Sequence, residues 1–264
     1  MKLDGCFALI TGASAGLGRE FARQLAPRAR GLVLIARRGD RLNHVREEVL
    51  SRDPNLLVHV RVVDLCDQAQ REQLTKWLEQ EKIAIDLLIN NAGLGDYGSF
   101  ATSDLERDDR IMQVNIVALT SLTRALLPQM IARKRGTILN VSSSAGFLPI
   151  PGMALYAASK AYVNCFSEAL RAELRATGVT VTALCPGPVH TEFGDVAKRP
   201  GREPERGPGF VYVSIERVVR AALDGVEADR PVVIPGAMMK LGMFLVRLTP
   251  MSILRLAWRL SGNR

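Results

Sequence analysis

The segment LITGASAGLGREFA, residues 9–22, runs from a short apolar stretch through three glycines into a helical pattern. Gly12, Gly16 and Gly18 lie in the turn, where glycine tolerates a positive φ and lets the backbone approach a bound group closely. Free amides and the dipole at the start of a helix attract an anion such as a pyrophosphate. The GxxxGxG spacing differs from the commoner GxGxxG, but a strand before it and a helix after it are the context that a dinucleotide site requires.

Strand-like and helical patterns alternate along the rest of the chain. Short apolar runs occupy residues 6–11, 32–36, 57–63, 86–90, 137–142, 179–185 and 231–235. Helical patterns lie near residues 16–27, 40–52, 67–82, 103–133, 153–177 and 214–227. Strands that are apolar throughout and separated by helices indicate a parallel sheet covered on both faces. We therefore predict one α/β domain over residues 1–264, a doubly wound Rossmann fold of about seven strands, which binds ligands at the carboxyl ends of its strands.

The composition suits a folded protein of the cytoplasm. Hydrophobic residues make up 47% of the 264 residues, which is enough for a substantial core. No uninterrupted apolar run reaches the roughly 18–20 residues that span a bilayer. The N-terminal run continues directly into the glycine turn without a small-residue cleavage site, so we interpret it as a strand and not as a signal peptide.

The net charge of +8 is unevenly distributed along the chain. Residues 236–264 contain five basic residues and no acidic residue, so this tail supplies five of the eight net charges. The remainder is nearly balanced and has neither a nucleic-acid-binding motif nor a basic stripe interleaved with aromatic residues. We expect no nucleic-acid partner.

The four cysteines, Cys6, Cys66, Cys165 and Cys185, have no CxxC motif and no spacing typical of metal ligands. Each lies in or beside a predicted strand or helix. This pattern favours buried free thiols over disulfides or a zinc site, and we expect no metal ion.

The second strand ends in ARRGD, residues 36–40. An NAD site usually has an acid about 20 residues after the glycines, where it holds the ribose hydroxyls. Arg37 and Arg38 lie there instead, and a guanidinium binds a 2′-phosphate rather than a hydroxyl. We therefore expect NADP(H) and not NAD(H). The alternative is that both arginines are solvated surface charges; Asp40 is expected to cap the next helix in either case.

Residues 187–210, GPVHTEFGDVAKRPGREPERGPGF, interrupt the alternation after the sixth strand. The segment is rich in glycine, proline and charge, and it has no clear period. Because it begins at the carboxyl end of a strand, where this fold binds ligands, we expect a substrate lid. The alternative is a surface insertion without a function.

Residues 236–264 predict a C-terminal extension of two amphipathic helices separated by Pro250. Their apolar residues and spaced cations suit an anionic membrane surface, which would give weak peripheral membrane association. We favour the alternative that they pack over the substrate cleft or against a subunit, since the apolar face of a helix usually turns toward its own protein.

Several motifs, in consistent order over roughly residues 5–235, resemble those of the short-chain dehydrogenase/reductase family, in its compact subfamily with TGxxxGxG. The matching segments are TGASAGLG (11–18), VVDL (62–65), NNAG (90–93), MQVN (112–115), NVSSSAG (140–146), YAASK (156–160) and PGPVHT (186–191). No departure from the family pattern occurs at these positions.

The resemblance implies which residues bind the cofactor. They are Gly12, Ser14, Ala15, Gly16, Leu17, Gly18, Arg37, Arg38, Asp64, Leu65, Asn91, Ala92, Gly93, Tyr156, Lys160, Pro186, Gly187, Val189 and Thr191. Asp64 is expected at the adenine amino group, where the amide of Leu65 also contributes. Thr191 is expected at the nicotinamide carboxamide.

The same resemblance implies a catalytic set of Asn115, Ser143, Tyr156 and Lys160. The family spacing places the serine thirteen residues before the tyrosine, which gives Ser143. Ser143 is expected to hold a carbonyl oxygen and Tyr156 to protonate it. Lys160, one turn after Tyr156 on the same helix face, is expected to stabilise the phenolate and to hold the nicotinamide ribose. Asn115 is expected to hold a water that relays protons.

These features predict an oxidoreductase that transfers hydride between NADP(H) and a carbonyl or secondary alcohol. Tails similar to 236–264 in relatives that act on fatty-acyl or steroid-like ketones imply an apolar small-molecule substrate, a class that also includes xenobiotic ketones. Apolar residues near the expected cleft, each of which can equally belong to the core, are Leu94, Tyr97, Phe147, Met153, Phe193 and Phe210.

Small residues on the Tyr156 helix, Ala157, Ala158 and Ala161, favour a homodimer or homotetramer, because they let a partner backbone approach closely. The alternative function is a non-catalytic NADP-binding protein whose tail is a partner- or membrane-interaction module.

Overall fold

The computed structural model of the chain describes residues 2–199 and 212–261. Seven parallel strands form one sheet in the order β3-β2-β1-β4-β5-β6-β7. The strands are β1 Phe7–Thr11, β2 Gly31–Ala36, β3 Leu57–Val62, β4 Leu87–Asn90, β5 Gly136–Val141, β6 Val179–Leu184 and β7 Val232–Val233. The predicted doubly wound parallel sheet is confirmed.

Helices lie at the positions that the sequence indicates, except for the helix Glu192–Ala197, which lies in the segment 187–210 where no helix is predicted. They are α1 Gly16–Leu25, α2 Gly39–Leu50, α3 Gln68–Gln80, α4 Leu105–Met112, α5 Leu119–Ala132, α6 Ala154–Glu173, α7 Glu192–Ala197, α8 Ile215–Glu227, α9 Ala237–Leu248 and α10 Met251–Ser261. A π-helical segment, Gln113–Ala118, joins α4 to α5, and a 3-10 turn, Ser144–Phe147, follows β5.

Two apolar cores lie on opposite faces of the sheet. Along β1, Ala8 and Ile10 pack into one core with α1 and α8, whereas Phe7 and Leu9 pack into the other with α3 and α5. A strand covered on both faces needs an apolar residue at every position, which explains the continuous apolar runs of the sequence. Each fully buried leucine or isoleucine contributes about 1.5–3 kcal/mol of transfer free energy.

The strand order reverses between β1 and β4. The chain runs outward from β1 to β3 on one side and from β4 to β7 on the other. In such sheets a crevice opens at the carboxyl ends of the two strands at the reversal. Thr11 and Asn90 are the last residues of these strands, so the crevice lies between the glycine turn and the NNAG segment.

One helical stretch of the described residues, Leu105–Ala132, is long and apolar enough by composition to cross a membrane. Its residues Leu122, Leu126 and Met130 are buried in the second core. This stretch is therefore packed against the sheet of its own chain.

Two local expectations are wrong. Helix α2 begins at Gly39 with Arg38 as its N-cap residue, so Asp40 lies in the first turn and does not cap it. Its carboxylate still interacts favourably with the helix dipole there. Cys165 is an exposed thiol on the outer face of α6, whereas Cys6 and Cys185 are buried as expected.

The two segments outside the regular alternation are partly described. Helix α7 lies within residues 187–210, and residues 200–210 of that segment, including Phe210, lie outside the described residues. The tail forms α9 and α10 on either side of Pro250, and the side chains of residues 257–264, including Trp258, lie outside the description.

Candidate active site

The glycine turn after β1 is closely packed against itself. Gly12 and Gly16 have φ values of 66° and 52°, which other residues rarely adopt. A β-carbon on Gly18 would overlap the carbonyl oxygen of Gly12 and lie 2.6 Å from the side-chain nitrogen of Asn91. The turn is therefore restricted to glycine by backbone conformation at two positions and by space at the third.

Thr11 and Asn91 tie the ends of β1 and β4 together. The Thr11 hydroxyl oxygen accepts hydrogen bonds from the backbone amides of Asn91 and Ala92, at 2.9 and 3.0 Å. The Asn91 side chain donates to the Thr11 carbonyl oxygen at 2.9 Å. Asn91 thus holds the crevice in shape through its side chain. Thr11 performs the same task and is missing from the predicted set, although it begins the TGASAGLG motif.

Four polar or charged side chains meet beside the turn and form one cluster. Arg38 donates to Ser14 at 3.2 Å and to the Glu192 carboxylate at 3.1 Å. Arg41 donates to both oxygens of Glu192, at 2.6 and 2.7 Å. The two guanidinium groups, Arg38 first, lower the pKa of Glu192. The sequence indicated Ser14 and Arg38 but not Arg41, which lies one turn into α2, or Glu192.

Arg37 lies apart from this cluster. It acts on Asp64 electrostatically, together with Arg110, whose guanidinium lies 3.4 Å from the Asp64 carboxylate. Burial alone would raise the pKa of Asp64, but the amide of Cys66 and these cations lower it. The neighbouring Leu65 is a buried core residue. Asp64 therefore lies ionised at the rim of the crevice on the side where adenine is expected.

Tyr156 lies in the first turns of α6 and is 8% exposed. Its ring contacts that of Phe193, with the centroids 5.4 Å apart. Burial raises the pKa of Tyr156 to about 12, and a hydrogen bond with Ser143 works in the opposite direction. The expected stabilisation of the phenolate by Lys160 stays a prediction. Tyr156 is a protonated phenol at neutral pH.

Lys160 is buried beside Tyr156 on the same helix. Its ammonium donates to the Val141 carbonyl oxygen at 2.9 Å and lies 5.8 Å from the centroid of the Tyr156 ring. Burial lowers the pKa of Lys160 to about 8. A β-carbon on Gly93 would lie 3.4 Å from the ammonium, so this lysine lines the crevice next to the NNAG segment.

Asn115 lies in the π-helical segment and is almost fully buried. Its side chain accepts from the Leu94 amide at 2.8 Å and donates to the Leu94 carbonyl at 2.9 Å. It also donates to the hydroxyl of Ser159 at 2.9 Å, and Ser159 donates to the Tyr156 carbonyl at 2.7 Å. Asn115 thus joins the β4 loop to the catalytic helix. Ser159 completes this connection and was not among the predicted residues.

The three consecutive serines after β5 have different partners. Ser142 is buried and donates to the Lys160 carbonyl oxygen at 3.0 Å. The Ser143 hydroxyl accepts from the Ala145 amide at 3.1 Å and caps the 3-10 turn. The amide of Ser144 donates to the Pro186 carbonyl oxygen at 2.8 Å. Ser143 is the serine that hydrogen-bonds Tyr156, while its two neighbours bind backbone carbonyl oxygens of other segments.

The segment after β6 approaches the glycine turn. A β-carbon on Gly16 would lie 3.4 Å from the side chain of Thr191. The Thr191 hydroxyl accepts from the Phe193 amide at 3.3 Å and caps α7. Val189 packs against the first core, and Gly187 lies against the side chain of Met239 on α9. The expected carboxamide contact of Thr191 stays a prediction.

A latch of charged side chains fixes α7 over the crevice. Asp96, which is buried, pairs with Arg199 and with Arg107, the latter at 3.2 Å. Arg107 also donates to the Val196 carbonyl oxygen at 2.6 Å. Gly95 leaves room for the Phe193 ring, whose tip would lie 2.6 Å from a β-carbon there. The latch thereby holds Phe193 against Tyr156.

The comparison with protein families decides the relationship. The family model described as short chain dehydrogenase matches residues 7–200, well over half of the chain.

The chain belongs to the short-chain dehydrogenase family.

Among curated members of this family, the chain is 33% identical over 225 residues to a very-long-chain 3-oxoacyl-CoA reductase of Anas platyrhynchos, which covers 83% of this chain and 68% of that protein. A short-chain dehydrogenase from Sphingobium yanoikuyae in complex with NADPH has a TM-score of 0.80 and 33% identity, covering 87% of both chains. A short-chain dehydrogenase/reductase from Burkholderia phymatum in complex with NAD has a TM-score of 0.80 and 25% identity, covering 93% of this chain and 94% of that one.

As a member of the short-chain dehydrogenase family, the protein is an oxidoreductase that uses a pyridine nucleotide. The residues of the crevice fit such a group. The glycine turn leaves no space for side chains where a pyrophosphate would approach the start of α1. Arg38 and Arg41, beside Ser14, bind the Glu192 carboxylate, and guanidinium groups of this kind are suited to an anionic group of such a cofactor.

Proposed function

We propose that this short-chain dehydrogenase is an NADPH-dependent reductase of apolar ketones, which also oxidises the corresponding secondary alcohols. The observation that carries the proposal is the convergence of the Tyr156 phenol, the Ser143 hydroxyl and the Lys160 ammonium beside the glycine turn. Tyr156 and Lys160 are buried and Ser143 is half-buried, and each has a chemical part in carbonyl reduction.

Reduction of a carbonyl needs a hydride, a polarised oxygen and a proton. A bound nicotinamide supplies the hydride. Ser143 donates a hydrogen bond to the carbonyl oxygen, and Tyr156, with a pKa of about 12, remains protonated at neutral pH and donates the proton. The ammonium of Lys160, with a pKa of about 8, is about nine-tenths protonated at pH 7. Its charge stabilises the phenolate that forms when the proton leaves.

The proton that Tyr156 loses must be replaced from solvent. Asn115 and Ser159 connect the Tyr156 carbonyl to the loop at Leu94, so they form a polar path along the buried side of α6. We propose that this path positions the water through which protons reach the site.

The preference for NADPH over NADH rests on the cluster beside the turn. Arg38 and Arg41 hold a carboxylate there, and a 2′-phosphate presents the same charge and more oxygen acceptors. The strand end carries no acid that would bind ribose hydroxyls, since its last residue and the two that follow are Ala36, Arg37 and Arg38. In the relatives both cofactors occur, so this cluster is the basis on which we assign NADPH.

An apolar substrate is supported by the side chains around Tyr156. Phe193 covers the ring, and Phe147 on the 3-10 turn lies beneath the Arg247 guanidinium of α9, 5.6 Å from its ring centroid. We propose that α7 and the described part of the segment, residues 187–199, form a lid over this cleft. The similarity to a very-long-chain 3-oxoacyl-CoA reductase favours the same substrate class.

A homo-oligomer is our proposal for the assembly. Ala158, Ala161 and Cys165 form an exposed stripe of small side chains on α6. Ala157 faces inward and is buried, so it packs within its own chain and not against a partner. Sedimentation velocity measures the oligomer size directly.

The function is tested by binding and turnover together. Purified protein is titrated with NADPH and NADH by fluorescence, and NADPH oxidation is followed with aldehydes, diketones, steroid ketones and acyl thioesters. Reduction of at least one bulky apolar ketone with NADPH is expected. Tight NADPH binding without reduction of any carbonyl would instead support the non-catalytic NADP-binding protein.

A further inference from the structure

Helix α9 has two apolar faces, and within the described part of the chain one of them packs against the domain. Met239, Met243 and Val246 point toward the domain and are half-buried. Met239 lies against Gly187, and Arg247 covers Phe147, so this inner face seals the edge of the active-site cleft. The packing that was favoured from the sequence therefore accounts for one side of the helix.

The outer face of α9 remains apolar and exposed. Met238, Leu241, Phe244, Leu245 and Leu248 are each between 53% and 65% exposed. Helix α10 also carries exposed apolar residues, Met251, Ile253 and Leu256. We call these eight residues the apolar tail face. Soluble monomers rarely expose so many apolar side chains on neighbouring helices unless they form a binding surface.

Charge identifies the occupant of this face. Lys240, Arg247 and Arg255 are exposed cations on the same two helices, and residues 236–264 contain no acidic residue. A second copy docked face to face by a twofold axis would bring these cations together without any compensating acid. An anionic lipid surface offers both an apolar layer and the opposite charge.

The helices are too short to cross a bilayer. Twelve residues of α9 and eleven of α10 extend about 18 and 16 Å, whereas the hydrocarbon core is about 30 Å thick. They suit the plane of the interface, where an amphipathic helix inserts its apolar side to a depth of roughly 5–10 Å.

We propose that the apolar tail face docks the protein on an anionic lipid surface, with α9 and α10 lying in the plane of that surface. The inner side of α9 contacts Gly187 and Phe147, so docking brings the cleft next to the lipid. Direct uptake of an apolar substrate from the bilayer is a consequence that rests on the proposed function, whereas docking itself does not.

The test is co-sedimentation of the full chain with two kinds of vesicle, phosphatidylcholine alone and an equimolar mixture of phosphatidylcholine and phosphatidylglycerol. The wild type is expected to sediment with the anionic vesicles at low salt, to be released by high salt, and to remain in solution with phosphatidylcholine alone. Absence of binding to the anionic vesicles at low salt overturns the proposal.

Two pairs of variants identify the surface. Leu241→Asp with Leu245→Asp removes apolar contact, and Lys240→Glu with Arg255→Glu reverses charge; each is expected to weaken anionic-vesicle binding about tenfold or more. Leu105→Asp on α4, at a leucine that is 82% exposed, and Lys76→Glu on α3 are the matched controls and should change binding less than about twofold. Equal loss in a control and its tail variant contradicts the assignment of the face.

Two further readouts separate other outcomes. NADPH affinity and thermal melting of each variant are measured without vesicles, because a folded variant keeps both whether or not the enzyme reduces a ketone. The wild type could instead form dimers whose fraction rises with concentration, and the Leu241→Asp with Leu245→Asp variant could remain monomeric. That result would show that a second copy covers the face, and it would overturn the lipid assignment. The charge-reversed variant, changed only at exposed positions, keeps the test valid if the apolar variant does not fold.

Discussion

The crevice has two ends, the proposed cofactor site and the proposed substrate site. The backbone shapes the first, and large side chains shape the second. At the cofactor end the backbone decides the shape, through the glycine turn and the hydrogen bonds of Thr11 to the NNAG segment. At the substrate end large side chains decide it, with Phe193 held over Tyr156 by the Asp96 latch. Backbone geometry tolerates little change, whereas a cleft lined by side chains is altered one residue at a time. We expect mutations at the first end to affect all turnover, and mutations at the second to affect selected substrates.

The largest effect is expected where the two ends meet, at the proton donor. Tyr156→Phe removes the phenol but leaves the packing with Phe193, so kcat should fall about 10²–10⁴-fold. NADPH affinity should remain within about threefold of the wild type. Steady-state kinetics with fluorescence titration measures both, and substantial remaining turnover would contradict the role of Tyr156.

The space within the glycine turn is tested by adding one methyl group at Gly18. In Gly18→Ala the new β-carbon meets the Gly12 carbonyl, so we expect a loss of about 1–3 kcal/mol in the free energy of unfolding and a large loss of NADPH and NADH affinity alike. Gly242→Ala on α9 is the matched control, because a β-carbon there has nothing within 4 Å. Denaturant unfolding of the control should reveal no loss of stability; equal losses in both variants would refute the spatial argument.

The preference for NADPH over NADH is expected to depend on the cluster of Arg38, Arg41, Ser14 and Glu192. Arg38→Gln should weaken NADPH about tenfold or more while NADH changes little, because only NADPH carries the 2′-phosphate. Glu192→Gln removes the carboxylate that occupies the same cations, so NADPH binding should tighten a few-fold, most clearly at low salt. The Kd values of both cofactors test this. If the Kd of NADH changed as much as the Kd of NADPH, the cluster would not be the site of the 2′-phosphate. Arg37→Gln, at the neighbouring arginine outside the cluster, is the comparison variant.

The smallest effect is expected on the pKa of Tyr156, at the end of the crevice that large side chains shape. Phe193→Ala removes part of the burial that raises the pKa of Tyr156 to about 12, so the pKa should move down toward the usual value of about 10. The sign follows from burial, which disfavours the phenolate. Tyrosinate absorbance at pH 11, with Tyr156→Phe subtracted, should rise from about a tenth to a larger fraction of one phenol. An unchanged difference spectrum would mean that Phe193 does not shield the ring.

The sequence predicted the parts of the molecule that depend on local pattern. Continuous apolar runs such as 6–11 identified strands covered on both faces, and the glycines identified the turn, because both signals lie within a few neighbouring residues. The proposed catalytic residues could be selected because their motifs resemble those of a known family. Helix geometry accounts only for Tyr156 and Lys160, which lie one turn apart on α6, whereas Asn115 and Ser143 come from other elements.

Contacts between distant segments escaped the sequence analysis. Glu192 meets Arg41 across 151 positions, and Arg199 meets Asp96 across 103, and neither charge is distinctive among the many on the chain. The burial of Tyr156 likewise depends on Phe193 from another element, so the raised pKa of this phenol could not be predicted from the YAASK motif. The sequence analysis treated membrane association and packing within the protein as alternative roles for the tail. A helix with apolar residues on two sides can serve both roles.

The π-helical segment Gln113–Ala118 makes the exact number of residues between α4 and α5 important. An α-helix turns about 100° for each residue, so a single added residue rotates everything beyond it by that angle unless a wider turn absorbs it. Here the wider turn absorbs it, and Asn115 points at Leu94 and Ser159 from within that turn. If one residue other than Asn115 were deleted from this stretch, α4 and α5 could join in one regular helix, and the Asn115 amide would then turn away from Leu94 and Ser159. The length of this segment therefore matters to the site as well as the identity of its residues.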